Sequence, residues 1–501
     1  MNFGFIIYII GWLLNFQGAF LLVPCIVAMS YGERSGFAFL ISSVISIIIG
    51  MICTRKKPKN RSFYAKEGFI AVALGWIVFS ISGALPFIIS GEIPDVFNAL
   101  FETISGYTTT GATILSDVES LSKCLLFWRS FTHWIGGMGV LVFMLSILPL
   151  AGGNNMHILR AESPGPSVGK LVPRLRSTAT ILYAIYAALT FIEFVLLLLG
   201  GMSLFDAVTT AFATAGTGGF GIKNSSMAEY SMYIQNVVGI FMVLFGVNFA
   251  IYFLLLIKKP KEALKSEELK AYFGIILVST VVIGFNIKDS FSSIWVALQQ
   301  AFFQVGSIIT TTGFSTVDFN TWPALSKTII VILMFVGACA GSTGGGIKVS
   351  RILISWKNLR NEISSFVHPK RVQVIRLEDK KVGNEVLRSV NVYFVLYVLI
   401  FAVSMLLISL ENGSFETNFT AVSATLNNIG PGLDGVGPME NFGTFNAFSK
   451  CVFMFDMLAG RLELIPMIIL FTPWTWKNKN KVKKLNRTLS ETEKADDFRI
   501  R

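Results

Sequence analysis

Thr108-Thr109-Thr110-Gly111-Ala112 interrupts a long apolar sequence, and the interruption recurs three times along the chain. The later copies read Gly216-Thr217-Gly218-Gly219-Phe220, Thr310-Thr311-Thr312-Gly313-Phe314 and Asn427-Asn428-Ile429-Gly430-Pro431. With Gly111, Gly219, Gly313 and Gly430 taken as equivalent, the copies lie 108, 94 and 117 residues apart. Such an internal repeat governs every other reading of the sequence. A short helix-like segment leads into each copy: Phe97 to Ser105, Phe205 to Ala213, Ile294 to Ser307 and Phe415 to Thr425. Most are too short to cross a hydrocarbon core of ~30 Å, so each is expected to enter the membrane and return on the same side. Irregular backbone at that depth survives where it lines a water-filled cavity.

The surroundings are those of a polytopic membrane protein. The chain has 501 residues, 53% hydrophobic and 14% charged. Apolar runs near the ~20 residues of a membrane helix fall at 3–29, 36–53, 67–90, 122–150, 179–200, 233–257, 270–287, 325–357, 388–410 and 447–472. Lys and Arg gather in 54–66, 151–178, 258–270, 348–388 and 472–501, which hold 34 of the 42 basic residues. These blocks follow every second apolar run, as cytoplasmic loops do. The net charge of +12 therefore reports topology rather than nucleic-acid binding. The alternation works only if the four short segments are not counted as spans. Met1 to Met29 lacks a basic leader and is expected to be a retained first span. Five scattered cysteines and three separated histidines give no disulfide framework or metal-ligand spacing.

The expected fold is all-α: two N-terminal spans, then four span–pore-helix–span repeats around one pseudo-fourfold ion pore. The divisions fall at 1–66 for the N-terminal hairpin and its basic loop, then 67–178, 179–269, 270–387 and 388–476 for the repeats. Residues 477–501 form a charged tail, and both termini are placed in the cytoplasm. Phe101, Ser105 and Thr110 of the first repeat match Phe303, Ser307 and Thr312 of the third. Helix-packing glycines would be spaced along one helix face; these instead adjoin threonines and lead into non-helical stretches.

Four backbone segments around an axis supply a ring of carbonyl oxygens to a dehydrated cation. Glycine lets successive carbonyls turn to one side. The candidate filter is Thr109, Thr110 and Gly111; Thr217, Gly218 and Gly219; Thr311, Thr312 and Gly313; and Asn428, Ile429 and Gly430. Thr109, Thr217 and Thr311 share one level, where the fourth repeat has Asn428. No acid lies within any copy, which argues against a filter for multivalent cations.

The run from Ile329 to Ser355 should be a helix, yet five glycines and two hydroxyl residues crowd the ten positions from Gly337 to Gly346. At a cost of about 1 kcal/mol per glycine, the helix is expected to open. Gly341, Ser342, Thr343, Gly344, Gly345, Gly346 and Lys348 then form a candidate gate below the filter, a packing kink being the plainer alternative. Asp456, Arg461 and Glu463 lie inside the last apolar run, and intramembrane charges call for a function or a partner. Arg461 facing the pore would repel a resident cation, and Glu463 or Asp456 would pair with Lys348. Glu193 reads equally as a structural acid or a coupling site.

These residues resemble the Trk/Ktr/HKT superfamily of cation transporters, and the N-terminal hairpin with Ala459-Gly460-Arg461-Leu462-Glu463 resembles its TrkH branch. The resemblance implies potassium uptake through one complete pore per chain in a bacterial inner membrane, K+ being the ion bound at the filter residues. It further implies a homodimer, a gating loop on Gly337 to Lys348, a pore-facing Arg461, and control by a TrkA-type cytosolic nucleotide-binding subunit. The chain itself has no phosphate-binding loop or dinucleotide fingerprint, and no cofactor is expected in it. Gly111 keeps the potassium-type pattern, where serine in this superfamily often accompanies sodium permeation. A less selective K+/Na+ pathway is the alternative. An intramembrane enzyme would want a nucleophile and base on facing spans; His133 has no evident partner in the sequence.

Overall fold

The computed structural model describes residues 2–58, 65–139, 175–368, 374–378 and 380–476. The latter half of the first repeat's second span, most of the basic loop 151–178 and the tail 477–501 lie outside them. An N-terminal hairpin, Phe3–Tyr31 and Gly36–Thr54, opens the fold and turns at Gly32, which takes the left-handed conformation at φ 70°. Its two helices cross closely. Ser43 Oγ donates to Gly18 O at 2.7 Å, and a side chain at Gly11 would stand 2.6 Å from Cys53 Cβ.

Four units follow. Their entry helices are Ala65–Ser90, Leu175–Leu199, Glu267–Asn286 and Asn384–Ile408. Their pore helices are Val96–Tyr107, Leu204–Gly216, Ile294–Ile309 and Phe415–Leu426, and each contains the short segment expected from sequence. Each pore helix begins at a side chain that accepts a backbone N–H of its first turn: Asp95, Ser203, Ser293 and Ser414. Such caps fix where a helix starts. At 1.5 Å per residue, helices of 12, 13, 16 and 12 residues reach about 18–24 Å and stop within a bilayer.

The exit helices depart from expectation. They run Lys123–Gly137, Met232–Phe245, Ala324–Val336 and Ala447–Arg461, only 13 to 15 residues each. Among the described residues, six helices are long and apolar enough to cross a membrane, or seven if one bent pair counts as a span. The expected span 233–257 is that pair, bent by 91° between Met232–Phe245 and Phe249–Leu256. The expected span 447–472 also breaks, because Glu463 and Leu464 take positive φ before Ile465–Phe471 resumes. Glycine follows or closes the first three helices at Gly137, Gly246 and Gly337, and charge closes the fourth at Arg461. Breaking is thus shared by the second, third and fourth exit helices, while the first ends at Gly137 and its sequel after Gly139 lies outside the described residues. Among the described residues the only β pairing is a two-residue hairpin, Arg376–Leu377 with Lys380–Lys381, a small addition to the all-α expectation.

Apolar packing surrounds the axis without filling it. The largest cluster joins the N-terminal hairpin to the first and fourth units, and two others tie the second unit and the third. Between them stands a column of buried polar residues, Thr108 to Thr110, Thr217, Thr310 to Thr312, Asn427 and Asn428, all at 0% exposure. The outward faces are greasy: Val395, Val398, Val403 and Leu406 of the fourth entry helix are more than half exposed.

Candidate functional site

Each pore helix ends in the same backbone turn. Thr109, Thr217, Thr311 and Asn428 take left-handed φ of 55°, 55°, 59° and 57°. The next residue then returns its N–H to a helix carbonyl: Thr110 to Ser105 at 2.9 Å, Gly218 to Ala213 at 2.9 Å, Thr312 to Ser307 at 2.8 Å and Ile429 to Ala424 at 2.8 Å. Such a bond closes a helix through a left-handed residue. Gly111, Gly219, Gly313 and Gly430 follow with φ of 78°, 75°, 86° and 97°, a region that glycine enters without steric cost.

These glycines close a ring. A Cβ on Gly111 would overlap the carbonyl oxygen of Gly218; on Gly219, that of Thr312; on Gly313, that of Ile429. The circuit returns to its start, since a Cβ on Gly430 would stand 2.7 Å from Thr110 O, the loosest of the four approaches. Each glycine therefore abuts the residue preceding the next unit's glycine. The negative C-terminal ends of four pore helices converge on this ring. On one side the four glycines line a cavity of about 150 Å³ with Thr113, Phe220, Gly221 and Ser315.

The level of Thr109 faces the other way. Thr109 Oγ1 donates to Thr108 O at 2.7 Å and Thr217 Oγ1 to Gly216 O at 2.6 Å. Thr311 Oγ1 instead accepts the N–H of Gly345 at 2.6 Å. Asn428 Nδ2 donates to Met457 O at 2.9 Å and to Thr110 Oγ1 at 3.0 Å, so the amide ties the fourth quarter to the first.

Gly345 belongs to the segment between the third exit helix and the helix Val349–Val367, where the backbone is open. Gly337, Gly341, Gly346 and Lys348 have positive φ. Side chains at Gly344 or Gly345 would press on Thr310 O and Asn427 O, so the loop lies directly under two quarters of the ring. The break in the second exit helix supplies its other partners. Gly246 O accepts from Cys339 N at 3.0 Å, Gly341 O from Phe249 N at 3.1 Å, and Phe245 O from Thr343 Oγ1 at 3.3 Å. Two broken helices thus satisfy one another's polar backbone, as an apolar surrounding demands.

Arg461 joins the same level from the fourth unit. Its guanidinium donates to Thr343 O at 2.7 Å in the loop and to Gly136 O at 2.5 Å and Gly137 O at 2.7 Å at the end of the first exit helix. The expected pairing of Lys348 is corrected. Lys348 Nζ donates to Gly344 O, Glu463 pairs with Arg351, and Asp456 accepts from Ser404 Oγ at 2.7 Å. Arg351 lies one helical turn beyond Lys348, over the Tyr393 ring at 3.9 Å, where Glu463 reaches it.

The family model for TrkH, described as a cation transport protein, matches residues 35–478. The chain belongs to the TrkH family. The Trk system potassium uptake protein TrkH of Escherichia coli is 37% identical over 95% of this chain and 100% of its own length. The related uptake protein TrkG of that organism is 34% identical over 93% of this chain and 97% of its own. The crystal structure of the potassium transporter TrkH from Vibrio parahaemolyticus superposes with a TM-score of 0.86, at 35% identity, over 95% of this chain and 100% of that one. These relatives are transporters, not enzymes.

The TrkH-family chain also carries partners that sequence reasoning passed over. Glu268 Oε1 accepts Ala340 N at 2.7 Å and Ser350 N at 3.1 Å, pinning both ends of the loop. An acid at the start of an apolar helix reads as a cap, so nothing local signals that role. Gly246 and Asn248 mark the second break, and Asn248 caps the helix after it through Ala250 N at 2.9 Å. His133 has partners after all, within 2.9 Å of Gly106 O through Nδ1 and accepting Phe220 N at 3.3 Å through Nε2. It braces backbone behind the ring. In the loop after Gly430, bonds from Ser414 and Thr417 hold the Asp434 carboxyl below the usual range.

Proposed function

We propose that this chain takes up potassium through the fourfold ring, under control of the loop Gly337 to Lys348 and of Arg461. The observation that carries the reading is the closed circuit of glycine-to-carbonyl approaches between units. Backbone oxygens on four sides replace the hydration of a monovalent cation without trapping it. The helix C-termini behind them add partial negative charge.

Below the ring, the loop bonds to the filter threonine Thr311 and Arg461 spans from the loop to the first exit helix. A positive charge and a folded backbone segment in that place oppose a cation's exit. The basic blocks of the sequence support a cytoplasmic position for this side and for both termini. There a TrkA-type nucleotide-binding subunit would act on the loop, and the chain would work as a homodimer in a bacterial inner membrane; the family resemblance supports both.

The test is flux of rubidium against sodium into liposomes holding the purified chain alone. Rubidium entry that exceeds sodium entry by an order of magnitude or more supports the reading. Equal entry of both ions would replace it with a general monovalent-cation pathway, and no entry of either would reject it.

A further inference from the structure

Behind the first two quarters of the ring lies an ion pair that the pore reading does not use. Glu102 sits on the first pore helix and Arg129 on the first exit helix, with Arg129 Nε 2.7 Å from Glu102 Oε1 and side-chain exposures of 2% and 0% for the arginine and the acid. Burying two charges is a poor way to gain stability, and a pair so placed is better explained by the geometry it enforces.

That geometry spans two units. Glu102 accepts the Thr113 hydroxyl at 3.1 Å and the Ile114 N–H at 3.1 Å, on the irregular segment leaving Gly111. Arg129 donates to Gly221 O at 3.1 Å, on the irregular segment leaving Gly219, and lies over the Phe220 ring at 4.1 Å. Thr113 and Gly221 each stand two residues past their ring glycine. The Thr113 hydroxyl also lies 3.4 Å from the guanidinium, so one residue touches both halves of the pair.

The other quarters lack this brace. The position nine residues before the ring glycine is Glu102 in the first unit, but Thr210, Gln304 and Ala421 in the others. Gln304 makes a neutral bond to Thr316 at 3.3 Å. Arg129 moreover lines the cavity shared by the four glycines. Without the acid, its charge would stand uncompensated against the approach path of a cation.

We propose that Glu102 and Arg129 are positioning residues for cation discrimination: together they fix the first and second quarters of the ring relative to each other, and Glu102 cancels the charge of Arg129 at the cavity. The proposal rests on the pore reading above. An arginine is required because it reaches Glu102 through Nε and Gly221 through a terminal nitrogen, whereas lysine offers one point of charge without that fork.

The experiment measures rubidium and sodium flux into liposomes for the unaltered chain, Glu102→Gln, Arg129→Lys and Thr113→Val. Glu102→Gln is expected to raise the rubidium half-saturation severalfold and to lower the rubidium-to-sodium ratio about tenfold. Arg129→Lys keeps the charge balance, so its half-saturation stays near normal while the ratio falls. Thr113→Val removes a hydroxyl without introducing or deleting charge, lowers the ratio by a smaller factor, and decides the matter if the charged variants fail to insert. A merely structural pair would lower all fluxes in proportion. An unchanged ratio in the variants that insert overturns the proposal. Absence of selective flux in the unaltered chain instead overturns the pore reading, and this proposal with it.

Discussion

Holding Thr109, Thr217 and Thr311 in left-handed backbone costs roughly 1–3 kcal/mol apiece, since a β-branched side chain crowds that conformation. The fold tolerates it at equivalent places because the turn does two things. It closes a helix by a backbone bond, and it throws the following carbonyl toward the next unit. The glycine two residues on is constrained more tightly still. Gly313 combines φ of 86° with a Cβ position already taken by Ile429 O. Gly313→Ser must displace that carbonyl, which opens the ring between its third and fourth quarters. The expected result is a rubidium-to-sodium flux ratio lowered about tenfold, with insertion unchanged because the pore helix and its cap are untouched. A ratio equal to that of the parent chain would remove Gly313 from the filter.

Among the elements, the exit helices divide the labour. All four stop at 13 to 15 residues, and three of their ends meet at one level: Gly136 and Gly137 from the first, Gly246 from the second, and the loop after Val336 from the third. The fourth helix sends Arg461 into this junction. Removing a nearby charge of like sign from a cation's path lowers its barrier by on the order of 1 kcal/mol or more at an effective dielectric constant of about 20. Arg461→Ala should therefore raise rubidium flux about tenfold. Glu268→Ala acts through the loop instead. It deletes both backbone bonds that pin the loop's ends, and flux should rise although the positive charge of Arg461 stays in place. Measured side by side in liposomes, a rise in the first variant alone would assign the barrier to charge and leave the loop a static support.

For the whole molecule, the repeat was legible because threonine, glycine and asparagine stand out against apolar sequence, and because short helices differ in length from spans. The pore helices, their order and the candidate filter follow from those two contrasts. The exit-helix breaks were legible only where glycines crowd, after Val336. At Gly246 a single glycine and one asparagine do the same work, and at Glu463 and Leu464 the chain breaks with no glycine at the bend. Pairings across units, such as Glu463 with Arg351, depend on which turn of a helix faces inward, a matter that linear spacing does not specify.

The N-terminal hairpin shows the same dependence on distant partners. Its turn carries Glu33, whose carboxylate accepts Lys123 N at 2.6 Å and Cys124 N at 2.9 Å, capping the first exit helix from outside the unit. Glu92 completes the junction, accepting Ser35 Oγ at 2.6 Å and Ser122 N at 2.8 Å. The hairpin is therefore a fastened part of the pore body. Loss of a capping acceptor costs about 0.5–2 kcal/mol, so Glu33→Ala with Glu92→Ala should lower the thermal midpoint of the detergent-solubilised protein by several degrees. The ring lies at the far end of the pore helix from this junction, so the flux ratio should hold. An unshifted midpoint would mean that apolar packing alone seats the hairpin; a changed ratio would mean that the junction reaches the filter through the first exit helix.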